Sequence, residues 1–275
     1  MLTTLMSRLW RPRRAGPNVS KASPLPGSDE PAGARRNAYT GTLVTDEHFV
    51  PSFGLDLETY IARTDATAVH HLVRYLWAAA VLAKWGARGP ILDLGCGSGY
   101  GAYLLAKTVR GAEVLGLDHD EAAIRNAQET YCRRNLAFRP GDPLVWSSSI
   151  GDDAFETIVM FDVLEHVRHR EILLESVVRH LAPRGRLLLS TPSAACENDL
   201  EPGWPHHRIE YGTASLYDLL RRYFAGVLGS DREDFPERAI FTKLSERGIS
   251  YLLRLNPVIC TQPIRIENPY RAMPG

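Results

Sequence analysis

The sequence lacks what would tie it to a membrane, a disulfide scaffold or a nucleic-acid backbone. Its longest uninterrupted apolar run, "LWAAAVLA" at 76–83, falls far short of the roughly 20 apolar residues that span a bilayer. It has four cysteines in 275 residues, Cys96, Cys132, Cys196 and Cys260. They are widely scattered, so no CxxC pair points to structural zinc and no dense framework points to a secreted, stapled domain. A reduced, cytoplasmic setting is the expectation. Charge of neither sign predominates: 32 Lys and Arg balance 32 Asp and Glu. A dedicated nucleic-acid binder usually shows a basic excess. There is no internal repeat.

The first forty residues differ in character. They are rich in Arg, Pro, Gly and Ser, and the first acidic residue is Asp29. Such a segment buries too little apolar surface to offset its ordering entropy. The expectation is a disordered, weakly basic leader over 1–40 and a folded domain over 41–275. An organelle transit peptide is the alternative, although the early prolines fit an amphipathic helix poorly.

What remains alternates. Helical periodicity runs over 64–85, 100–109, 120–135, 169–182 and 213–224. Short apolar or β-branched runs at 90–95, 112–118, 136–142, 155–162, 186–192 and 256–264 read as strands. Strands alternating with helices imply right-handed crossovers and a mostly parallel α/β sheet covered on both faces. Ligands bind such sheets outside the carboxyl ends of the strands.

At one of those ends stands "ILDLGCGSGYGAYLLA", residues 91–106, with four glycines in seven positions. Gly95, Gly97 and Gly99 permit positive φ and remove Cβ atoms, so a ligand can lie against the backbone at the start of a helix. Asp118 ends the second strand 19 positions after Gly99, where an acid meets ribose hydroxyls in nucleotide-binding βαβ units. His119 and Asp120 follow it. The loop has no lysine, which argues against ATP.

Taken together, "ILDLGCGSGYGAYLLA", "VLGLDHDEAAIRNA", "FETIVMFDVLEHV" and "LAPRGRLLLSTPS" resemble the successive motifs of class I S-adenosylmethionine-dependent methyltransferases. The resemblance covers roughly 65–265. It implies a Rossmann-like fold with a seven-stranded, mostly parallel sheet and helices on both faces. It also implies a cofactor site. Gly95, Gly97 and Gly99 would hold the methionine part of S-adenosyl-L-methionine, with Asp93 anchoring the loop. Asp118, with His119 beside it, would take the ribose hydroxyls and Asp142 the adenine amino group. Phe161 and Asp162 would lie beside the sulfonium. Arg74 would either pair with the cofactor carboxylate or sit solvated on a helix face.

In "FDVLEHV", Asp162, Glu165 and His166 are spaced i, i+3, i+4, and one helix face would hold all three. Downstream "WPHHRIEY" adds His206 and His207. Carboxylates with imidazoles suit a divalent ion such as Mg, Mn or Zn. A similar pattern occurs in the ubiquinone-pathway O-methyltransferases and in small-RNA 2′-O-methyltransferases, with Glu where this chain has Asp162. The alternative is that Glu165 and His166 cap a helix and line the pocket without metal.

Methyl transfer to a hydroxyl needs the acceptor deprotonated, by a base such as His166 or by a metal. The expected function is methyl transfer to a hydroxyl of a small molecule or a sugar or glycan, with Glu165 and His166 catalytic. An RNA 2′-O-methyltransferase would need a basic face that neutral charge disfavours. A nicotinamide oxidoreductase is supported only by the GxGxxA match at 97–102. A non-catalytic cofactor-binding protein would lack a working base. The expected partner is a small-molecule or glycan acceptor, without nucleic acid or a membrane span.

Overall fold

A computed structural model describes residues 35–36, 43–44, 48–51, 66–142, 144–146, 150–151, 153–194, 197–241 and 255–264. The expected leader lies outside these residues except for Arg35–Arg36, which pair antiparallel with Leu43–Val44 across the expected boundary. Thr64 and Asp65, the expected start of the first helix, also lie outside them.

The long helix α1, Ala66–Trp85, buries Val69, Leu72, Val73, Trp77, Ala80 and Val81, the i, i+3, i+4 spacing of a core-facing stripe. Four parallel crossings follow. Strand β1 is Ile91–Leu94, helix α2 Tyr100–Thr108, β2 Val114–Asp118, α3 Glu121–Thr130, β3 Leu136–Pro140, β4 Phe155–Phe161, α4 Arg170–His180 and β5 Leu181–Ser190. Helix α5, Thr213–Leu220, then leads to β6, Phe224–Gly229, and β7, Val258–Pro263. As expected, Asp120 caps α3, its side chain accepting from the amides of Ala122 at 2.7 Å and Ala123 at 3.2 Å.

The seven strands form one sheet in the order β6-β7-β5-β4-β1-β2-β3. β1 through β5 are parallel, and β7 runs antiparallel between β5 and β6. The sheet separates two cores, and strand alternation divides β4 between them. Val159 and Phe161 face α1 and α2, while Ile158 and Met160 face α4 and α5. The strand order reverses between β1 and β4, which opens a crevice at their carboxyl ends. Among the described residues no helix is long and apolar enough to cross a membrane.

Several boundaries differ from the sequence reading, among them that of the expected helix over 120–135, which stops at Thr130 because Tyr131 turns extended. The expected helix over 169–182 stops at His180, because Leu181 already pairs with Phe155 of β4. The register then shifts, and Arg186 pairs with Thr157. The intervening bulge accommodates Pro183, which has no N–H to give the ladder. The expected helix over 213–224 stops at Leu220. Phe224–Gly229 forms an edge strand on β7 that the helical pattern concealed.

Candidate functional site at the β1–β4 crevice

Gly95, Gly97 and Gly99 all have positive φ, at 78°, 51° and 87°, as the sequence led us to expect. Gly99 caps α2 in the left-handed region. A Cβ there would come within 2.5 Å of Ala127 Cβ, so only glycine lets α2 and α3 approach. Asp93 is fully buried and accepts from the Tyr75 hydroxyl at 3.0 Å. Burial pushes its carboxyl up to about 7, against the pull of the Tyr75 hydrogen bond.

Asp118 ties the crevice together. Its carboxylate accepts from the Gly97 amide at 2.7 Å and the Asp120 amide at 3.0 Å, and it lies 3.3 Å from His119 Nδ1. Burial opposes its ionisation. The His119 hydrogen bond, the His48 charge and the two amides outweigh that and hold it below the usual carboxylate range. The next strand brings Gly141 alongside, its amide donating to the Asp118 carbonyl at 2.8 Å. Asp142 is exposed, and its side chain accepts from the Leu144 amide at 2.7 Å.

Residues 48–51 lie across the glycine loop, an arrangement the sequence did not signal. His48 Nε2 is 3.2 Å from Asp120 Oδ2, and His48 Nδ1 lies 3.1 Å from where a Gly97 Cβ would stand. The Phe49 carbonyl accepts from Ser98 Oγ at 2.7 Å. The Phe49 ring stacks on His71 with centroids 4.9 Å apart and meets Tyr100 edge-on at 5.3 Å.

On the far side of the crevice, Asp162 follows β4 with φ 53°. Its carboxylate forms an ion pair with Arg74. Burial opposes the Asp162 charge, but the adjacent guanidinium holds its pKa below the ordinary range. Arg74 is 2% exposed. It is therefore not solvated on its helix face, one of the two states the sequence left open, and within the protein its guanidinium is paired with Asp162. A second Arg74 nitrogen lies 2.9 Å from His71 Nδ1. A guanidinium only donates, so Nδ1 accepts and the ring is neutral with its proton on Nε2. Burial and the Arg74 charge push His71 down to about 3, which agrees. Phe161 turns into the core, edge-on to Tyr75 at 5.0 Å and 6.2 Å from Trp77.

The "VLEHV" stretch forms turns, with His166 N–H on the Val163 carbonyl and Val167 N–H on that of Leu164. Without an α-helix, i, i+3, i+4 spacing does not collect the side chains. Asp162 stays with Arg74. Glu165 turns inward, fully buried, with Oε2 accepting from Thr191 Oγ1 at 2.9 Å and Oε1 without a hydrogen-bond partner. Burial, reinforced by the Asp162 charge, pushes its pKa well above the usual range. His207 arrives from the loop after β5. A two-residue ladder, Asn198–Asp199 against Glu210–Tyr211, closes that loop, and the Arg208 amide donates to the Glu165 carbonyl at 2.7 Å. The His166 and His207 rings meet edge-on at 4.9 Å. Candidate ligand atoms of Glu165, His166 and His207 all lie within 4.8 Å of one another. The expected set of five thus narrows to three. Asp162 is held by Arg74, and His206 is exposed beside Trp204, 5.9 Å between ring centroids.

A family model described as a methyltransferase domain matches residues 67–224, more than half of the chain. The chain belongs to the class I S-adenosylmethionine-dependent methyltransferases. A protein of Mycolicibacterium smegmatis named as a probable S-adenosylmethionine-dependent methyltransferase is 33% identical over 190 residues, 67% of this chain and 66% of that one. A Mycobacterium tuberculosis protein of the same description is 29% identical over 202 residues, 70% of this chain and 64% of its own. The chain thus spans slightly under two thirds of these relatives. A trans-aconitate 2-methyltransferase of Delftia acidovorans is 30% identical over 126 residues, 46% of this chain and 44% of that enzyme. Among solved structures, the CurJ carbon methyltransferase superposes with a TM-score of 0.55 at 19% identity, covering 75% of this chain and 58% of that one. That similarity concerns the fold alone.

The site residues that the sequence reading of this methyltransferase missed are His48, Phe49, His71, Tyr75 and Thr191. His71 and Tyr75 flank Arg74 on α1. The others come from segments far apart in the chain.

Proposed function

We propose that this methyltransferase transfers a methyl group from S-adenosylmethionine to a hydroxyl of a small molecule or a sugar or glycan. The observation that carries the reading is the gathering of Glu165, His166 and His207 at the carboxyl end of β4. A carboxylate acceptor, already ionised at neutral pH, would need no such group. A hydroxyl is a poor nucleophile at neutral pH and must lose its proton.

The residues divide the work between two halves of the crevice. The Gly95–Gly99 backbone and Asp118 hold the cofactor, with His119 and Asp142 at its nucleoside end. Bound there, the cofactor supplies an activated methyl for in-line displacement by the acceptor oxygen. His207 Nδ1 donates to Glu210 Oε1 at 2.7 Å, which fixes the orientation of the ring. His166, edge-on to it, is placed to take the acceptor proton.

The same three side chains fit a divalent ion. Two imidazoles and one carboxylate, whose Oε1 has no hydrogen-bond partner, would make a donor set for Mn or Zn. An ion there would lower the pKa of a ligating hydroxyl, and its charge would favour ionised Glu165.

The test is methyl transfer to a panel of hydroxyl and carboxylate compounds, with chelator, with Mg, Mn or Zn restored, and in His166→Ala. S-adenosylhomocysteine binding is followed in parallel. Transfer to a hydroxyl that His166→Ala abolishes, with cofactor binding intact, is the expected result. Sensitivity to chelator selects the metal-assisted form. Transfer confined to a carboxylate such as trans-aconitate, undiminished in His166→Ala, would overturn the proposal.

A further inference from the structure

The loop that delivers His207 also carries two exposed large apolar side chains. Leu200 is 71% exposed and Trp204 49%. The loop is held at its base by the Asn198–Asp199 and Glu210–Tyr211 ladder and by the Gly212 amide on the Glu197 carbonyl at 2.7 Å. Its inner side is fastened by the Arg208 amide on the Glu165 carbonyl. The His207 amide donates to the Trp204 carbonyl at 3.1 Å. That i to i+3 bond closes a turn, so the two Cα atoms stand within about 7 Å. An exposed indole on a fixed turn, one turn from the candidate centre, offers a flat apolar face to a ligand.

The charges around it narrow the choice of what does. Between 197 and 210 the loop has Glu197, Asp199, Glu201 and Glu210 against Arg208 alone, and no lysine. Glu210 is engaged by His207, and the remaining Glu197, Asp199 and Glu201 outnumber Arg208 three to one. Across the base of the loop Arg170 donates to the Val167 carbonyl at 2.9 Å, with its guanidinium 5.9 Å from the Tyr211 ring centroid. Such surroundings repel carboxylates and phosphates and accept hydroxyls, for which carboxylates are good hydrogen-bond acceptors. An indole face next to carboxylates matches a ring that is apolar on its C–H face and hydroxylated at its rim.

We propose that residues 197–211 form the acceptor subsite, and that Trp204 takes the face of a neutral polyhydroxylated ring, a sugar residue. One of the sugar's hydroxyls then reaches Glu165, His166 and His207. This rests on the hydroxyl-transfer reading and adds the acceptor class and a specificity-determining residue.

Saturation-transfer NMR on the S-adenosylhomocysteine-bound protein tests it. The neutral probes are methyl α-D-glucopyranoside, methyl α-D-mannopyranoside and maltotetraose; the anionic ones are trans-aconitate and glucose 1-phosphate. Transfer to the ring C–H protons of a neutral sugar is expected. It should be lost in Trp204→Ala and retained in Trp204→Phe, with cofactor affinity the same in all three proteins. In turnover with a sugar that is methylated, Trp204→Ala should raise KM by at least about tenfold with little change in kcat, as for removal of an aromatic anchor. Absence of signal from every neutral sugar, preference for the anions, or an unaltered signal in Trp204→Ala would each overturn the proposal. Sugar methylation that needs His166 but not Trp204 would remove this subsite and leave the hydroxyl reading standing. Methylation of trans-aconitate independent of His166 would remove both.

Discussion

Arg74→Met separates a structural role for the buried arginine from a cofactor-binding one. Arg74 is 2% exposed and pairs with Asp162, whose side chain is 25% exposed. Its other contacts are His71 Nδ1 at 2.9 Å and Ser190 Oγ at 3.5 Å. Methionine fills much of the volume but leaves Asp162 facing a neutral His71. Removing one partner of a buried pair costs about 3–5 kcal/mol, and the partial exposure of Asp162 places this case near 3 kcal/mol. For a domain of this size that is a fall in Tm of about 6–12 °C. The pH dependence supplies a second signature. The native pKa of Asp162 is depressed, so its contribution is full above the unfolded value near 4 and is lost as pH falls through the native one. The difference between wild type and variant is therefore largest at neutral pH and closes in acid, where Asp162 is protonated in both. Urea denaturation from about pH 2 to 8 measures this, with the m-value as a check on compactness. Arg74→Met/Asp162→Asn should recover much of the loss. A neutral-pH loss below about 1 kcal/mol would refute the reasoning, as would a difference that does not shrink in acid. A variant of unchanged stability but weakened S-adenosylhomocysteine binding would return Arg74 to the cofactor carboxylate.

Three further outcomes are expected. Asp118→Ala removes a charged acceptor and should weaken S-adenosylhomocysteine binding about 10- to 100-fold by calorimetry, in keeping with about 1.5–3 kcal/mol for such a bond; unchanged affinity would unseat Asp118. In chelator, Glu165→Gln should raise the thermal midpoint, increasingly so as pH rises above about 4.5. Burial raises the native pKa of Glu165, so wild type progressively loses stability as that carboxyl is asked to ionise, and a midpoint insensitive to the substitution at pH 8 would contradict this. A chain starting at Asn37 should keep its fold and cofactor affinity, whereas one starting after Pro51 loses the His48 and Phe49 contacts and should release S-adenosylhomocysteine faster in stopped-flow, an effect absent if those contacts are incidental.

The sequence by itself determined the elements whose signals are local. The period-2 and period-3.6 patterns marked β1, β2, β4, α1 and α3, and Asp120 capped its helix where expected. The glycines needed positive φ for reasons internal to the loop, so their spacing after β1 was enough to locate the crevice. Edge strand β6 was hidden because Phe224 continued a helical stripe. Only pairing with β7 decided otherwise. The rest of the site depended on residues far apart in the chain meeting across a sheet. Arg74 and Asp162 are 88 positions apart, and nothing local to either identifies its partner. His206 and His207 are adjacent and chemically identical, and the sequence treated them alike. The turn from Trp204 and the Arg208–Glu165 hydrogen bond set one against His166 and left the other in solvent. Long-range pairing fixes which side of a chain faces a site, and a side chain's chemistry becomes function only once that direction is set.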